Sequence, residues 1–287
     1  MTIIRLCKSI KKLFSKSVSI DDSNEVEAFN HIVSEESTKE YDFENFRLVF
    51  QQKIKGKSRP KGKHNGSLGH WIESQFGVSH NSIPGADLDG FEIKSGSQKG
   101  TYGDWMGDWY IWYDENSCIP TRNDFLRTFG SKKRVDRPER YSWTKLDLGK
   151  HVSDEYSESG QRMLVSSDND IRIYYNFLHD SRSEKFDIIP ELIRNGDVMI
   201  AQFSREKMSK LVKDKFGIKG WVYFSVKKDN VDSLYLGHPF DFEDWIEWVK
   251  SGHVELDSGM NTDTSRNRSS FRSKSSFWKD LAFEIIQ

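Results

Sequence analysis

Cysteine is scarce in this sequence: Cys7 and Cys118 are the only two among 287 residues, far apart and in no metal-ligand spacing. A disulfide framework and a zinc cluster are thereby excluded, and both residues read as structural thiols. Long apolar runs are missing as well. No stretch approaches the roughly 18 residues that a membrane span needs, and the N-terminus lacks the continuous apolar segment of a signal peptide, so a cytoplasmic location without a membrane partner is expected. Internal repeats and a clear linker are also lacking, which points to one α/β domain, residues 46–287, behind an N-terminal extension, residues 1–45.

Acidic residues are absent locally rather than globally. The net charge is only −1, yet from Asn45 to Ile72 there is no Asp or Glu, while Arg47, Lys53, Lys55, Lys57, Arg59, Lys61 and Lys63 are all basic. Further basic clusters occur at Lys132, Lys133, Arg134, Arg137 and Arg140 and at Arg266, Arg268, Arg272 and Lys274. Three such blocks in a nearly neutral chain favour a polyanion, and nucleic acid above others.

Apolar residues make up 36% of the chain and aromatic residues 13%, enough for a substantial core and too much for general disorder. The basic stretch IIRLCKSIKKLFSKSV reads as an amphipathic helix in the extension. FENFRLVFQQKIKG reads as a helix entering the exposed loop KSRPKGKHNG, and SLGHWIESQFGV as a second helix that stops at Gly77. FEIKS follows as a short strand. GDWMGDWYIWYD is expected to be a buried aromatic strand next to it, in preference to a base-stacking surface.

Beyond Asn123 the chain shows long polar connections before the strand IRIYYNFL and a helix start at FDIIPELIRNG. SREKMSKLVKDKFG is a helix with an N-cap serine and late lysines. GWVYFSVKKDNVDSLYLGH reads as two strands about an Asp-Asn turn, and DFEDWIEWVKSG as a capped helix whose Trp245 and Trp248 pack in the core. HVELD is a short strand, and SGMNTDTSRNRSSFRSKSS a long loop or hairpin.

The stretch IPGADLDGFEIKS carries the chemistry. Asp87 lies in a turn that opens a strand, and Glu92 and Lys94 stand two residues apart on that strand, so both point to one face. Two carboxylates converging there offer hard oxygen ligands for Mg²⁺, and the carbonyl of Ile93 offers a third. A lysine beside them can orient or help deprotonate a water that attacks a phosphodiester.

The run GSLGHWIESQFG followed by DLDGFEIK resembles the catalytic core of the MutH-like branch of the PD-(D/E)XK nucleases, most closely the restriction endonucleases typified by MvaI and BcnI. The resemblance is strongest from Asn65 to Ser95. It implies a mixed β-sheet flanked by helices, an α+β arrangement, with Glu73 as the helix glutamate, Asp87 and Glu92 as metal carboxylates and Lys94 as the lysine of the site. It implies Mg²⁺-dependent cleavage of double-stranded DNA by a monomer that cuts one strand at a time. A cognate DNA methyltransferase in the same system, not a stable subunit, is implied too.

Base reading needs side chains that enter a groove, commonly Arg to guanine and Asn to adenine. Arg266, Asn267, Arg268 and Arg272 form the best candidate set, with His253 and Asp257 on the preceding strand. Related enzymes carry R-x-x-G-T-x-F-R where this chain has RNRSSFR. Lys53, Lys55, Lys57, Lys61 and Lys63 are expected to clamp phosphates, a positioning role without sequence information. Two other readings stay open: a methyl-directed nicking enzyme of the same fold, and a non-catalytic DNA-binding module in which Asp87 and Glu92 serve local structure.

Overall fold

The structure, a computed structural model, describes residues 42–58, 67–78, 85–96, 98–132, 140–149, 151–267 and 269–287. Nearly all of the N-terminal extension, with its amphipathic stretch, lies outside the described residues. So do Arg59, Lys61, Lys63, Lys133, Arg134, Arg137 and Arg268.

Apolar residues three or four apart, and polar residues that cap free N–H groups, set the helices. Helix α1 (Glu44–Val49) continues as a wider turn over Phe50–Ile54 and buries Phe46, Phe50 and Ile54. Helix α2 (Ser67–Gln75) buries Leu68 and Ile72. Thr121 caps α3 (Arg122–Phe129) by accepting the Asp124 N–H, and the helix buries Phe125, Leu126 and Phe129. Ser204 caps α4 (Arg205–Phe216), which presents Met208, Val212 and Phe216 inward. Asp241 and Asp244 form a reciprocal capping box on α5 (Phe242–Lys250), and α6 (Ser275–Leu281) follows with Trp278 buried. Among the described residues no helix is long and apolar enough to cross a membrane.

The strands are β1 (Phe91–Gly96), β2 (Lys99–Asp104), β3 (Trp109–Tyr110), β4 (Ser131–Lys132), β5 (Tyr141–Thr144), β6 (Ser159–Val165), β7 (Ile171–Asp180), β8 (Asp197–Phe203), β9 (Gly220–Lys227), β10 (Asn230–Gly237), β11 (Glu255–Asn261), β12 (Ser269–Lys274) and β13 (Glu284–Ile286). They form three sheets, in the orders β1-β9-β10-β13, β2-β12-β11-β5-β4 and β3-β8-β7-β6. The first is the expected mixed sheet: β1 runs parallel to β9, while β10 is antiparallel to both its neighbours. The other two sheets are antiparallel throughout.

Trp278 joins the first sheet to the second. Its indole is fully buried, lies parallel to the Tyr223 ring of β9 at 5.9 Å, meets Trp221 edge-on at 4.9 Å and packs on Tyr102 of β2 at 4.8 Å. Gly100 makes room for it, since a methyl group there would lie 2.3 Å from Trp278 Nε1. Aromatic contacts of this kind add to the large apolar area each ring buries.

Three expectations change, and one open reading is decided. Of loop or hairpin, the serine- and arginine-rich stretch is a hairpin: it ends β11 and returns as SSFRSK, an interior strand between β2 and β11, and SSFWKD continues as helix. Alternate residues Phe271 and Ser273 are buried there, a period-two pattern that the polar composition concealed. The aromatic stretch is buried in part, but β3 is only two residues long and pairs with β8, so β9 and not this segment neighbours β1. The β9–β10 turn is centred on Lys228 and Asp229, both at positive φ, not on Asp-Asn. The polar region beyond Asn123 contains most of α3, then β4, β5 and β6.

Candidate active site

The site begins as a tight reversal. Asp89 and Gly90 both have positive φ, 47° and 88°, and Leu88 and Phe91 exchange backbone hydrogen bonds of 3.0 and 2.7 Å around them. That is the mirror-image turn for which Asp-Gly is favoured. Gly90 is needed twice over, because a methyl group on it would also lie 2.7 Å from Ile218 Cγ2.

The reversal folds Asp87 back along the strand that follows it. Its Oδ2 accepts the Ile93 N–H at 2.9 Å. A strand residue's N–H and C=O leave by the same edge, so the Ile93 carbonyl also emerges on the Asp87 side, away from β9.

Glu92 and Lys94 project to the face covered by α4. Glu92 is fully buried; its Oε1 accepts from Lys215 Nζ at 2.8 Å and also takes the Lys94 ammonium directly. Its Oε2 is buried with no hydrogen-bond partner among the described residues. A carboxylate oxygen in that condition is costly in an apolar interior and suits a position reserved for a cation. Asp87, Glu92 and the Ile93 carbonyl therefore make a chemically fitting oxygen set for a hard divalent ion.

The floor of the site is aromatic. Trp221 and Tyr223 of β9 stand in register beside Glu92 and Lys94, and Lys94 Nζ lies 5.8 Å from the centre of the Phe216 ring. Burial raises the Tyr223 hydroxyl pKa above its ordinary value. Burial, followed by the neighbouring Lys94 charge, lowers that of Lys215, against the opposing pull of Glu92 and Asp87. Ion pairs over such a floor are less screened than on an open surface.

Glu73 sits on α2, toward the far end of β1. A methyl group at Gly69 would lie 3.6 Å from Glu73 Oε1 and 3.8 Å from Ser95 Oγ, which places the glutamate beside the last turn of β1 side chains, against α2. Among the described residues no three His, Cys, Asp or Glu side chains converge as a metal cage.

Lys215 is the residue that sequence reading missed. The late lysines of α4 were visible only as a basic helix end, and nothing local shows that one of them reaches a carboxylate 123 positions away.

The remaining candidates occupy the second sheet and the start of the domain. Arg272 on β12 bonds Asp257 of β11 at 2.9 Å. His253 is exposed and stacks on Phe277 at 4.6 Å. Arg266 is exposed, and Asn267 is half-buried with its side-chain oxygen accepting from Arg122 at 2.6 Å. β1 leads into β2, and β2 pairs with β12, which in turn pairs with β11. Lys53 and Lys57 are exposed, while Lys55 Nζ donates to the Gln287 carbonyl at 2.9 Å. Lys61, Lys63 and Arg268 lie outside the described residues.

The mixed sheet with these acids and a lysine on its edge strand belongs to the restriction-endonuclease class of folds. The solved complex of the restriction endonuclease MvaI with its cognate DNA superposes with a TM-score of 0.57, over 87% of this chain and 99% of that one, at 13% identity. The chain belongs to the LlaMI restriction endonuclease family, whose model matches residues 50–286. The type II restriction enzyme ScrFI of Lactococcus lactis subsp. cremoris is 33% identical to it over 266 residues, 83% of this chain and 96% of the relative. The resemblance drawn from the hairpin and its preceding helix is thus borne out at the level of family. The chain is a DNA-binding, site-specific nuclease, and the non-catalytic reading is set aside.

Proposed function

We propose that this protein is a type II restriction endonuclease that hydrolyses both strands of double-stranded DNA at a short sequence with Mg²⁺. Asp87, Glu92, Ile93 and Lys94 form the reacting centre in this reading, and Glu73 supports it. The observation that carries it is local to β1: the Asp87 carboxylate is held against the Ile93 N–H, and a buried Glu92 oxygen has no hydrogen-bond partner among the described residues.

Asp87, Glu92 and the Ile93 carbonyl would hold the ion, which when bound offsets charge developing on the phosphate oxygens and makes water a better nucleophile. Lys94 Nζ, fixed against Glu92 Oε1, orients the attacking water and relays its proton. Lys215 donates to the same oxygen and holds Glu92 aligned. Glu73, next to Ser95, acts through hydrogen bonds at the end of β1. The basic residues Lys53, Lys55, Lys57, Lys61 and Lys63 contact phosphates, and His253, Asp257, Arg266, Asn267, Arg268 and Arg272 face base edges. Affinity then falls with added salt.

A single site of this kind serves one strand per chemical step, which suits a monomer that nicks first and cuts the second strand after. A cell carrying such an enzyme needs its own sites protected, so a cognate DNA methyltransferase accompanies it as a separate protein.

Supercoiled plasmid tests the reading. With Mg²⁺ and unmethylated DNA, open circles form first and linear DNA follows, with all ends at one sequence. Nicks confined to hemimethylated DNA would instead favour the methyl-directed nicking enzyme.

Replacing Lys215 by methionine removes one of two charged donors to Glu92, an interaction of about 1.5–3 kcal/mol. Single-turnover cleavage should fall by about 10- to 100-fold. Lys215→Arg should restore most of it. A methionine variant that cleaves at the wild-type rate would reduce Lys215 to a structural role.

A further inference from the structure

Arg122 is the first residue of α3, far from β1 in sequence, and its guanidinium lies against the loop between β11 and β12. Its Nε donates to Asn267 Oδ1 at 2.6 Å, its Nη2 to the Arg266 carbonyl at 2.8 Å, and both terminal nitrogens to the Asn261 carbonyl at 3.2 Å. One side chain thus grips the loop where it leaves β11 and again where it returns toward β12.

The support beneath it is rigid. Phe125 and Phe129 of α3 are fully buried, and Phe125 packs edge-on against Trp143 of β5 at 5.0 Å. The other side of the loop is tied to β5 as well. Thr262 N–H donates to the Tyr141 carbonyl at 3.0 Å, Tyr141 N–H donates to Thr262 Oγ1 at 3.2 Å, and Arg140 pairs with Asp263 at 3.2 Å. Between these two anchors the tip, with Thr264, Ser265 and Arg266, is exposed.

We propose that Arg122 is a positioning residue for sequence recognition: it fixes the β11–β12 loop in its DNA-reading shape before DNA arrives. This rests on the reading of that loop as the DNA-facing element. A loop held in advance costs less ordering on binding, so loss of the clamp weakens recognition rather than chemistry. A planar guanidinium satisfies three acceptors in fixed directions, which a lysine ammonium cannot reproduce.

The test compares Arg122→Lys, Asn267→Ala, the double variant and Arg266→Ala on the cognate duplex and on duplexes with one base pair changed. Arg122→Lys should raise KM about tenfold, a cost in line with the hydrogen bonds lost. It should leave kcat within twofold, and reduce the ratio of cognate to altered-site cleavage. In the Asn267→Ala background its effect should shrink, because part of the clamp acts through that side chain. Melting temperature is measured alongside, and a fall in melting temperature and kcat together, with KM and discrimination unchanged, would show a merely structural residue. If Arg266→Ala changes KM or discrimination and Arg122→Lys changes neither, the proposal fails alone. If Arg266→Ala also changes neither, the loop is not the DNA interface, and the proposal fails with that reading.

Discussion

Glu92→Gln should lower single-turnover DNA cleavage by at least about 10³-fold while leaving the duplex bound. The carboxylate is fully buried, receives two ammonium groups on one oxygen and has its other oxygen without a hydrogen-bond partner among the described residues. Glutamine keeps the shape and the carbonyl oxygen, so the fold has little to rebuild. It removes the negative charge that Lys94 and Lys215 face and replaces the unpartnered oxygen with an N–H₂ donor, which repels a cation. If DNA affinity draws on the basic residues proposed for it, gel-shift binding in Ca²⁺ should remain within a few-fold of wild type. Lost cleavage with retained binding separates chemistry from folding. A variant that still cuts near the wild-type rate would remove Glu92 from the reaction.

Trp278→Ala should be among the most destabilising single changes in the chain. The indole is fully buried between Tyr102, Trp221 and Tyr223, and so joins β2 of the second sheet to β9 of the first. Large-to-alanine changes at such positions cost about 3–5 kcal/mol, because transfer energy is lost and a cavity remains. For a domain of this size that corresponds to a fall in melting temperature of roughly 10 °C. The loss should reach function as well, since Tyr223 forms part of the floor under Lys94. Trp278→Phe should lose clearly less. Thermal denaturation of both variants checks the order, and an alanine variant as stable as wild type would show that the two sheets are joined by other contacts.

The hairpin that opens β1 was legible because its determinants are local. Asp-Gly at 89–90 fixes the turn, two-residue spacing fixes the face shared by Glu92 and Lys94, and burial of Phe91 and Ile93 fixes the strand. The helices were readable for the same reason, through caps such as Ser204 and Asp241 and apolar steps such as Met208, Val212 and Phe216. What could not be read depends on distant partners. Lys215 gains its role only because α4 precedes a strand that runs parallel to β1. The stretch holding β12 read as loop or hairpin, and its interior place was not legible because Ser269, Ser270 and Ser273 are buried serines, whose polarity signals an exposed segment until the neighbouring strands supply hydrogen bonds. Arg122 lies at the edge of a stretch that reads from sequence as polar connection, with no helix expected there. The loop it clamps lies about 140 residues later.

If metal-dependent DNA hydrolysis takes place at the β1 hairpin, the Asp87 carboxylate is indispensable to it. Digestion of unmethylated phage DNA by the purified protein, in Mg²⁺ or EDTA and beside Asp87→Ala, tests it most directly. Discrete fragments with a common end sequence in Mg²⁺, none in EDTA and none with the variant, are the predicted result. Fragments that persist with Asp87→Ala would place the reaction at another site and contradict the account.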